Sequence, residues 1–207
     1  MEFEEITVKL LADDIISIRQ GTLLLIEQSN QVKMVKKLNK KSQNAYKKLF
    51  AAILQVFNKQ SDTEIIYSLI KYLSFILKQI SLRSILFKCS TPGRSVAVLV
   101  NLLKENKDHI LTVVRILSIL DKLSKNEAKT ILIFRLENGL KHILYLLHTY
   151  QDNQQLMMAI LEFLTSYLNN GGNNNAISPL VKSGIIQHVY LLVKNTVNQN
   201  KQIKMKM

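Results

Sequence analysis

Apolar residues recur along this chain at the three- and four-residue spacing of amphipathic helices, without the sustained alternation that marks strands. Only two prolines and six glycines interrupt the pattern, which suits long helices with short joints. The spacing therefore predicts an all-α fold, with helices over residues 4–19, 22–38, 43–58, 61–79, 82–89, 94–105, 107–124, 127–137, 139–149, 152–169, 178–183 and 184–196.

Several predicted helices recur along the chain with offsets of 44 to 47 residues. Residues 139–147 reappear as 184–192, and residues 113–120 match 157–164, with a less even copy at 69–73. A period of this length is typical of stacked helical units, each of which buries its apolar face against its neighbours. The sequence thus predicts an array of units with a short, a middle and a long helix. An irregular helical bundle is the alternative.

Particular residues mark the joints and ends of these helices. Gly93, Gly139 and Gly184 each fall where a short helix meets a middle one, and the left-handed conformation open to glycine suits such a joint. Ser61, followed three residues later by Glu64, predicts a capping box at the start of a long helix.

One segment interrupts the helical pattern more strongly than the joints do. Residues 169–175 consist of asparagine and glycine, and they predict a flexible loop, simplest as an insertion between units and not as a ligand site. Ser178 and Pro179 then predict an N-cap followed by proline at the first helical position.

The residues at the joints resemble those of the armadillo repeat family. That family places three helices in a unit of about 40–47 residues, with a glycine between the first and second helix. The segments 138–140 and 183–185 are similar to that joint, 144–147 to the second helix and 159–164 to the third. The resemblance covers residues 43–195, and HEAT-type units share its length and hydrophobic pattern.

The resemblance implies a right-handed α-solenoid of stacked armadillo- or HEAT-like helices. It divides the chain into an N-terminal helical pair over 1–42, the repeats over 43–195 and a basic tail over 196–207. In such an array the long helices line a concave surface on which a partner docks. The candidate residues for that surface are Ser68, Lys71, Tyr72, Lys78, Arg115, Ile119, Lys122, Ala159 and Phe163.

Nuclear-import armadillo proteins grip basic peptides with a tryptophan and, four residues on, an asparagine in the third helix. Neither residue occurs in the matching pairs here, which are Ser68 and Tyr72, Arg115 and Ile119, and Ala159 and Phe163. The import mechanism is therefore not expected. The basic residues of the candidate surface favour an acidic partner, and its aromatic residues supply anchors. Core packing between helices is the alternative for Tyr72, Ile119 and Phe163.

The net charge is +13, carried mainly by lysine with only five arginines. The densest basic patch consists of Lys33, Lys36, Lys37, Lys40, Lys41, Lys47 and Lys48. It favours an acidic surface such as tubulin tails, or a nuclear-import signal over 36–41. A solvated helix end and AT-rich codon usage explain the same lysines without any binding role. Nucleic acid is disfavoured, because single-strand binders interleave aromatic and basic residues, and only Tyr46 is nearby.

Little in the sequence points to chemistry at a site. Cys89 is the only cysteine, which excludes an internal disulfide and a thiolate-rich metal site. The four histidines lack metal-ligand spacing, and no phosphate loop or nucleophile elbow is present, so we expect no catalysis, cofactor or metal. The acidic N-terminus is unlike a secretory signal, and no apolar run reaches the roughly 18 residues of a membrane span. A cytoplasmic location follows as the expectation.

These observations predict a non-enzymatic protein–protein interaction scaffold, with a microtubule-based assembly such as a cilium as one setting. The alternative is a transport or signalling adaptor that holds an acidic partner segment in its concave groove. The last predicted unit lacks a long helix, which leaves an edge at Ile185, Val189 and Leu192. We expect another chain, a self-contact or residues beyond this sequence to cover that edge, or the tail to fold back over part of it.

Overall fold

The computed structural model describes residues 40–59, 62–78, 80–89, 93–171 and 173–194. Their regular structure is helical throughout, without a strand in these ranges, which confirms the all-α prediction. The helices are α1 Lys40–Lys59, α2 Thr63–Ile76, α3 Ile80–Phe87, α4 Arg94–Glu105, α5 Ile110–Ser124, α6 Lys129–Leu136, α7 Gly139–Thr149, α8 Gln154–Asn170, α9 Asn173–Lys182 and α10 Ile185–Lys194. The helices predicted over 4–19 and 22–38, and the tail over 196–207, lie outside the described residues.

The helices follow one another in the order short, middle, long. One such triplet is α3, α4 and α5, and the next is α6, α7 and α8. The long helices pack in chain order, with α5 between α2 and α8, and the middle helix α4 contacts both α1 and α7. A cluster of buried apolar side chains runs from α1 to α10. Within it Phe134 of α6 meets Phe163 of α8 edge-on, with ring centroids 4.7 Å apart.

Two long helices begin at polar side chains that satisfy the first free backbone N–H groups. Asp62 caps α2, where its Oδ1 accepts hydrogen bonds from the backbone N–H of Glu64 at 2.9 Å and of Ile65 at 3.3 Å. Asn153 caps α8 in the same way, accepting from the N–H of Leu156 at 3.0 Å. Asp62 and not Ser61 is therefore the N-cap of α2, and this cap is not the capping box predicted from Ser61 and Glu64, because the third residue after Asp62 is Ile65; Ser61 itself lies outside the described residues.

The three joints between short and middle helices use a left-handed residue, but not always the predicted glycine. Gly93 has a φ of 89° and Gly184 a φ of 79°, as expected. At the middle joint the left-handed residue is Asn138, with a φ of 59°, and Gly139 is the first residue of α7. Gly139 is needed for another reason, because the ring of Phe134 occupies the space that a Cβ would fill.

The flexible loop predicted over 169–175 is largely helical instead. Helix α8 continues to Asn170 and α9 begins at Asn173, so Ser178 is not an N-cap and Pro179 lies inside α9. The helix continues past the proline, whose carbonyl accepts from the N–H of Ser183 at 2.9 Å. The buried side chains of Ala176 and Leu180 explain this result, because core packing of one helix face outweighs weak local propensity.

The edge predicted on α10 is also corrected. Ile185 is buried, and Val189 and Leu192 are partly buried against the core, because these positions share the inward face of the helix. The large apolar residues that α10 exposes are Ile186, Tyr190, Leu191 and Val193.

Candidate protein-binding surface

The residues predicted to line the partner surface separate into an exposed and a buried set. Ser68 of α2, Arg115 of α5 and Ala159 of α8 are half-buried at equivalent positions on the three long helices, and Lys71 and Lys78 are exposed. In contrast, the side chains of Tyr72, Ile119 and Phe163 are buried in the core. The prediction that Tyr72 and Phe163 anchor a partner is corrected, because core packing, the alternative given for all three residues, leaves neither ring exposed.

Four cationic side chains gather where α2, α3 and α5 meet, and we call them the basic cluster: Lys78, Arg83, Arg115 and Lys122. At its centre lies Lys122, a half-buried residue whose Nζ donates to the carbonyl oxygen of Ser74 at 3.2 Å and to its Oγ at 3.3 Å. Burial lowers the pKa of Lys122, and the positive charges of Arg83 and Lys78 lower it further. The cluster is therefore crowded with like charge.

Backbone carbonyls at the end of α2 hold the guanidinium of Arg83. Its Nε donates to the carbonyl oxygen of Leu77 at 2.8 Å and its Nη2 to that of Lys78 at 3.4 Å. Its Nη1 donates to Oδ1 of Asn126 at 3.3 Å, which links α3 to the end of α5. Carbonyls at a helix C-terminus carry partial negative charge, so this location favours a cation. Arg83 was not predicted from the sequence, although arginine is rare in this lysine-rich chain and its rarity could have marked the residue.

Aromatic rings support two other members of the basic cluster. The guanidinium carbon of Arg115 lies 5.6 Å from the centroid of the Tyr67 ring, and Nζ of Lys78 lies 5.3 Å from that of Phe75. Such cation–π contacts contribute about 0.5–1 kcal/mol at exposed sites. They also place the charged groups over the ring faces.

The carboxylate nearest to Lys122 already has its own partners. Asp121 accepts a hydrogen bond from Oγ of Ser166 on α8, and Nζ of Lys125 lies 2.8 Å from its Oδ2. Among the described residues, none of the four cations in the basic cluster forms an ion pair with a carboxylate. The cluster therefore presents net positive charge to solvent.

The predicted patch of seven lysines is described only in part. Lys47 and Lys48 are exposed on α1, and Lys40 and Lys41 lie in its first turn. Lys33, Lys36 and Lys37 lie outside the described residues. The patch thus stays a prediction, separate from the basic cluster.

Other candidate chemistry gives no defined arrangement in the described ranges. No three histidine, cysteine, aspartate or glutamate side chains gather there in a way that could hold a metal ion. Cys89 is half-buried, and the rings of His148 and His188 stack with centroids 5.3 Å apart. As for membrane spans, no single described helix is long and apolar enough, although Ala176–Lys182 and Ile185–Lys194 together have the length and composition, with a 72° bend between them.

The fold places the chain in the class of all-α proteins, with helices that recur as short, middle and long. Comparison of the chain with protein-family models, with curated proteins and with solved structures finds no match. The armadillo resemblance therefore depends on the repeated residues alone. Any function has to be argued from the surface itself.

Proposed function

We propose that this chain is a non-enzymatic interaction scaffold, an armadillo-like right-handed α-solenoid that holds an acidic segment of a partner protein across the basic cluster. The proposal is supported by the repeated helix order and by the packing of α2, α5 and α8 in sequence. Arrays of this kind use the surface of their successive units for binding.

The single observation that carries the proposal is the crowding of Lys78, Arg83 and Arg115 around the half-buried Lys122 without a carboxylate partner among the described residues. Carboxylates of a partner would relieve the repulsion between these charges, and hydrogen bonds to ionised groups are about twice as strong as neutral ones. The guanidinium of Arg83 is already held by a backbone carbonyl, so it loses little conformational freedom when a carboxylate binds.

A nucleic-acid ligand fits the same surface less well. Binders of single strands offer free aromatic faces on which bases stack. The rings nearest to the basic cluster are those of Tyr67 and Phe75, and cations already lie over their faces. The described part of this surface therefore provides charge without a free aromatic face on which a base could stack.

The test is the affinity of the full chain for a glutamate-rich peptide, measured over a range of salt concentrations. The double variant Arg115→Gln/Lys78→Gln removes two charges that, among the described residues, contact aromatic rings and no carboxylate, so the fold is expected to persist. We expect affinity to fall by at least about tenfold, or about 1.4 kcal/mol, with a weaker salt dependence. The matched control is Lys104→Gln/Lys141→Gln, which removes two exposed lysines that lie near each other beside His142. Equal weakening by both double variants would contradict the proposal.

Two settings for this scaffold make different predictions. In a microtubule-based assembly the acidic tails of tubulin contact the separate lysine patch, and co-sedimentation should depend on salt and disappear when Lys36, Lys37, Lys40 and Lys41 become glutamate. A transport or signalling adaptor should instead bind one soluble acidic partner and keep that binding in the same variant.

A further inference from the structure

The surroundings of Lys122 disfavour the charged form of its amine. The residue is half-buried, and this burial is the main reason that its pKa is lowered. The charges of Arg83 and Lys78 lower the pKa further, and that of Arg115 acts in the same direction. A lysine that is desolvated and close to other cations is an activated amine nucleophile. Lys122 therefore differs in reactivity from an exposed lysine such as Lys125.

The neighbouring carboxylate of Asp121 offsets this effect only in part. Its charge raises the pKa of Lys122, but its oxygens already have other partners. Oδ2 lies 2.8 Å from Nζ of Lys125, and Oδ1 accepts a hydrogen bond from the hydroxyl of Ser166. In the described part of the chain, Lys122 forms no direct ion pair with a carboxylate.

Two oxygens of Ser74 orient the amine of Lys122. Its Nζ donates to the carbonyl oxygen at 3.2 Å and to Oγ at 3.3 Å. A neutral amine has two hydrogens and one lone pair, so these two bonds use both hydrogens. The lone pair is then left on the side of the nitrogen that faces away from Ser74, where an electrophile can approach.

The other cations of the basic cluster gather at the same end of α2. Lys122 donates to the carbonyl of Ser74, and Arg83 donates to the carbonyls three and four residues further on. The second of these carbonyls belongs to Lys78, which adds its own charge. Arg115 precedes Lys122 by seven residues on α5, a spacing that places both on one face of the helix. Charges that oppose an ammonium group at this place favour an anion there.

We propose that Lys122 reacts reversibly with carbon dioxide, which converts its amine into a carbamate anion held by the basic cluster. The lone pair of Nζ forms a bond to the carbon of carbon dioxide, a C–O π electron pair moves onto oxygen, and a proton passes from nitrogen to water. The hydrogen that stays on nitrogen continues to donate to an oxygen of Ser74. Carbon dioxide is small and uncharged, so it reaches a half-buried amine without the desolvation cost of an ionic reagent.

The carbamate supplies a negative charge that the cations of the basic cluster lack among the described residues. Its two oxygens have the planar arrangement of a carboxylate, to which a guanidinium such as that of Arg83 donates strong, charge-assisted hydrogen bonds. It thereby occupies the cations that the acidic segment of a partner would contact. Carbon dioxide should therefore weaken the binding of that segment. This regulatory effect rests on the proposed function, whereas the reaction at Lys122 does not.

The test is to trap carbamates on the full chain. The protein is equilibrated with isotopically labelled bicarbonate and carbon dioxide, alkylated with triethyloxonium, and mapped by peptide mass. We expect the trapped fraction at Lys122 to exceed that at Lys125 by at least about tenfold, because hydrogen bonds to a charged group contribute about that factor. Lys125 is the internal control, since it is exposed on the same helix and paired with Asp121. No trapped carbamate at Lys122, or equal fractions at the two lysines, would overturn the proposal.

Variants of the neighbouring cations test their role in holding the carbamate. Arg115→Gln/Lys78→Gln should lower the trapped fraction at Lys122 by at least about threefold, because it removes two positive charges near the anion and favours the ammonium form. Lys104→Gln/Lys141→Gln removes the same charge elsewhere and should leave the fraction unchanged. Equal loss in both double variants, or no loss in the first, would contradict the proposal.

Binding of the glutamate-rich peptide separates the carbamate from the proposed function. We expect carbon dioxide at constant pH and ionic strength to weaken this binding in the wild-type chain and not in Lys122→Arg, which keeps the charge but forms no carbamate. A trapped carbamate on a chain that does not bind the peptide would overturn the proposed function alone. Peptide binding without a trapped carbamate at Lys122 would overturn the reaction alone.

Discussion

The long helices α5 and α8 share an apolar pattern, yet the two carry different surfaces. Helix α5 is packed between α2 and α8, and its solvent side presents Arg115 and Lys122. Helix α8 is covered by α5, and it leaves Leu161 and Leu168 exposed. The same repeat therefore presents charge on the helix that packs between two long helices, and apolar surface on the helix that packs against one long helix among the described residues.

This difference teaches that the burial of equivalent apolar residues depends on which helices pack against them and less on their own sequence pattern. A long helix with one long neighbour exposes apolar positions that a long helix with two such neighbours conceals. Under the proposed function the charged surface of α5 takes an acidic partner, whereas the exposed leucines of α8 favour apolar contacts. Substitutions at equivalent positions can separate the two cases.

The largest contrast should come from the equivalent leucines Leu117 and Leu161. We expect Leu117→Ala to lower the free energy of unfolding by about 2–5 kcal/mol, because it leaves a cavity in the core. Leu161→Ala should cost under about 1 kcal/mol when measured at protein concentrations where only monomer is present, since it removes exposed surface. Urea unfolding of the two variants measures the difference. Similar losses would show that α8 is covered within the monomer.

The repeat made most helices predictable, and the exceptions have physical causes. For α4 and α7 the strong periodicity predicted both ends of the helix correctly, because the apolar positions begin and end where the joints lie. Local composition was misleading at Asn173, where packing of Ala176 and Leu180 keeps a polar segment helical. The basic cluster was found only in part, because Arg83 joins it from a short helix through contacts that no spacing along the chain reveals.

A second contrast compares the joints at Gly93 and Gly184, which both have positive φ. Alanine at either site adopts a left-handed conformation at a cost of about 1–2 kcal/mol. At Gly184 the new Cβ meets open space, whereas at Gly93 it meets the side chain of Ile133. We expect Gly93→Ala to lower the free energy of unfolding by about 1–3 kcal/mol more than Gly184→Ala, as in other overpacked sites. The double variant Gly93→Ala/Ile133→Val should recover part of that excess.

The smallest expected effect concerns a surface hydrogen bond between neighbouring units, from the hydroxyl of Tyr150 to Oδ1 of Asp108 at 2.8 Å. This bond, with burial and the charge of Asp108 as smaller causes, raises the pKa of Tyr150 to about 12. The folded state therefore keeps the phenol proton above pH 10, where an unfolded tyrosine loses it. The stabilising contribution is complete below about pH 10 and is lost as the pH rises to about 12.

Asp108→Asn should lower the pKa of Tyr150 part of the way towards its ordinary value, because a hydrogen bond to a neutral amide is weaker than one to a carboxylate and the charge that opposes a phenolate is gone. Titration of phenolate absorbance measures the change, and Tyr150→Phe identifies the group, since burial raises the pKa of Tyr167 as well. Because Tyr150 is well solvated, we expect the unfolding free energy of Asp108→Asn to change by under about 1 kcal/mol. An unchanged titration curve in Asp108→Asn would show that this link between units is open in solution, which would leave the buried contacts of α5 with α8 to hold the two units together.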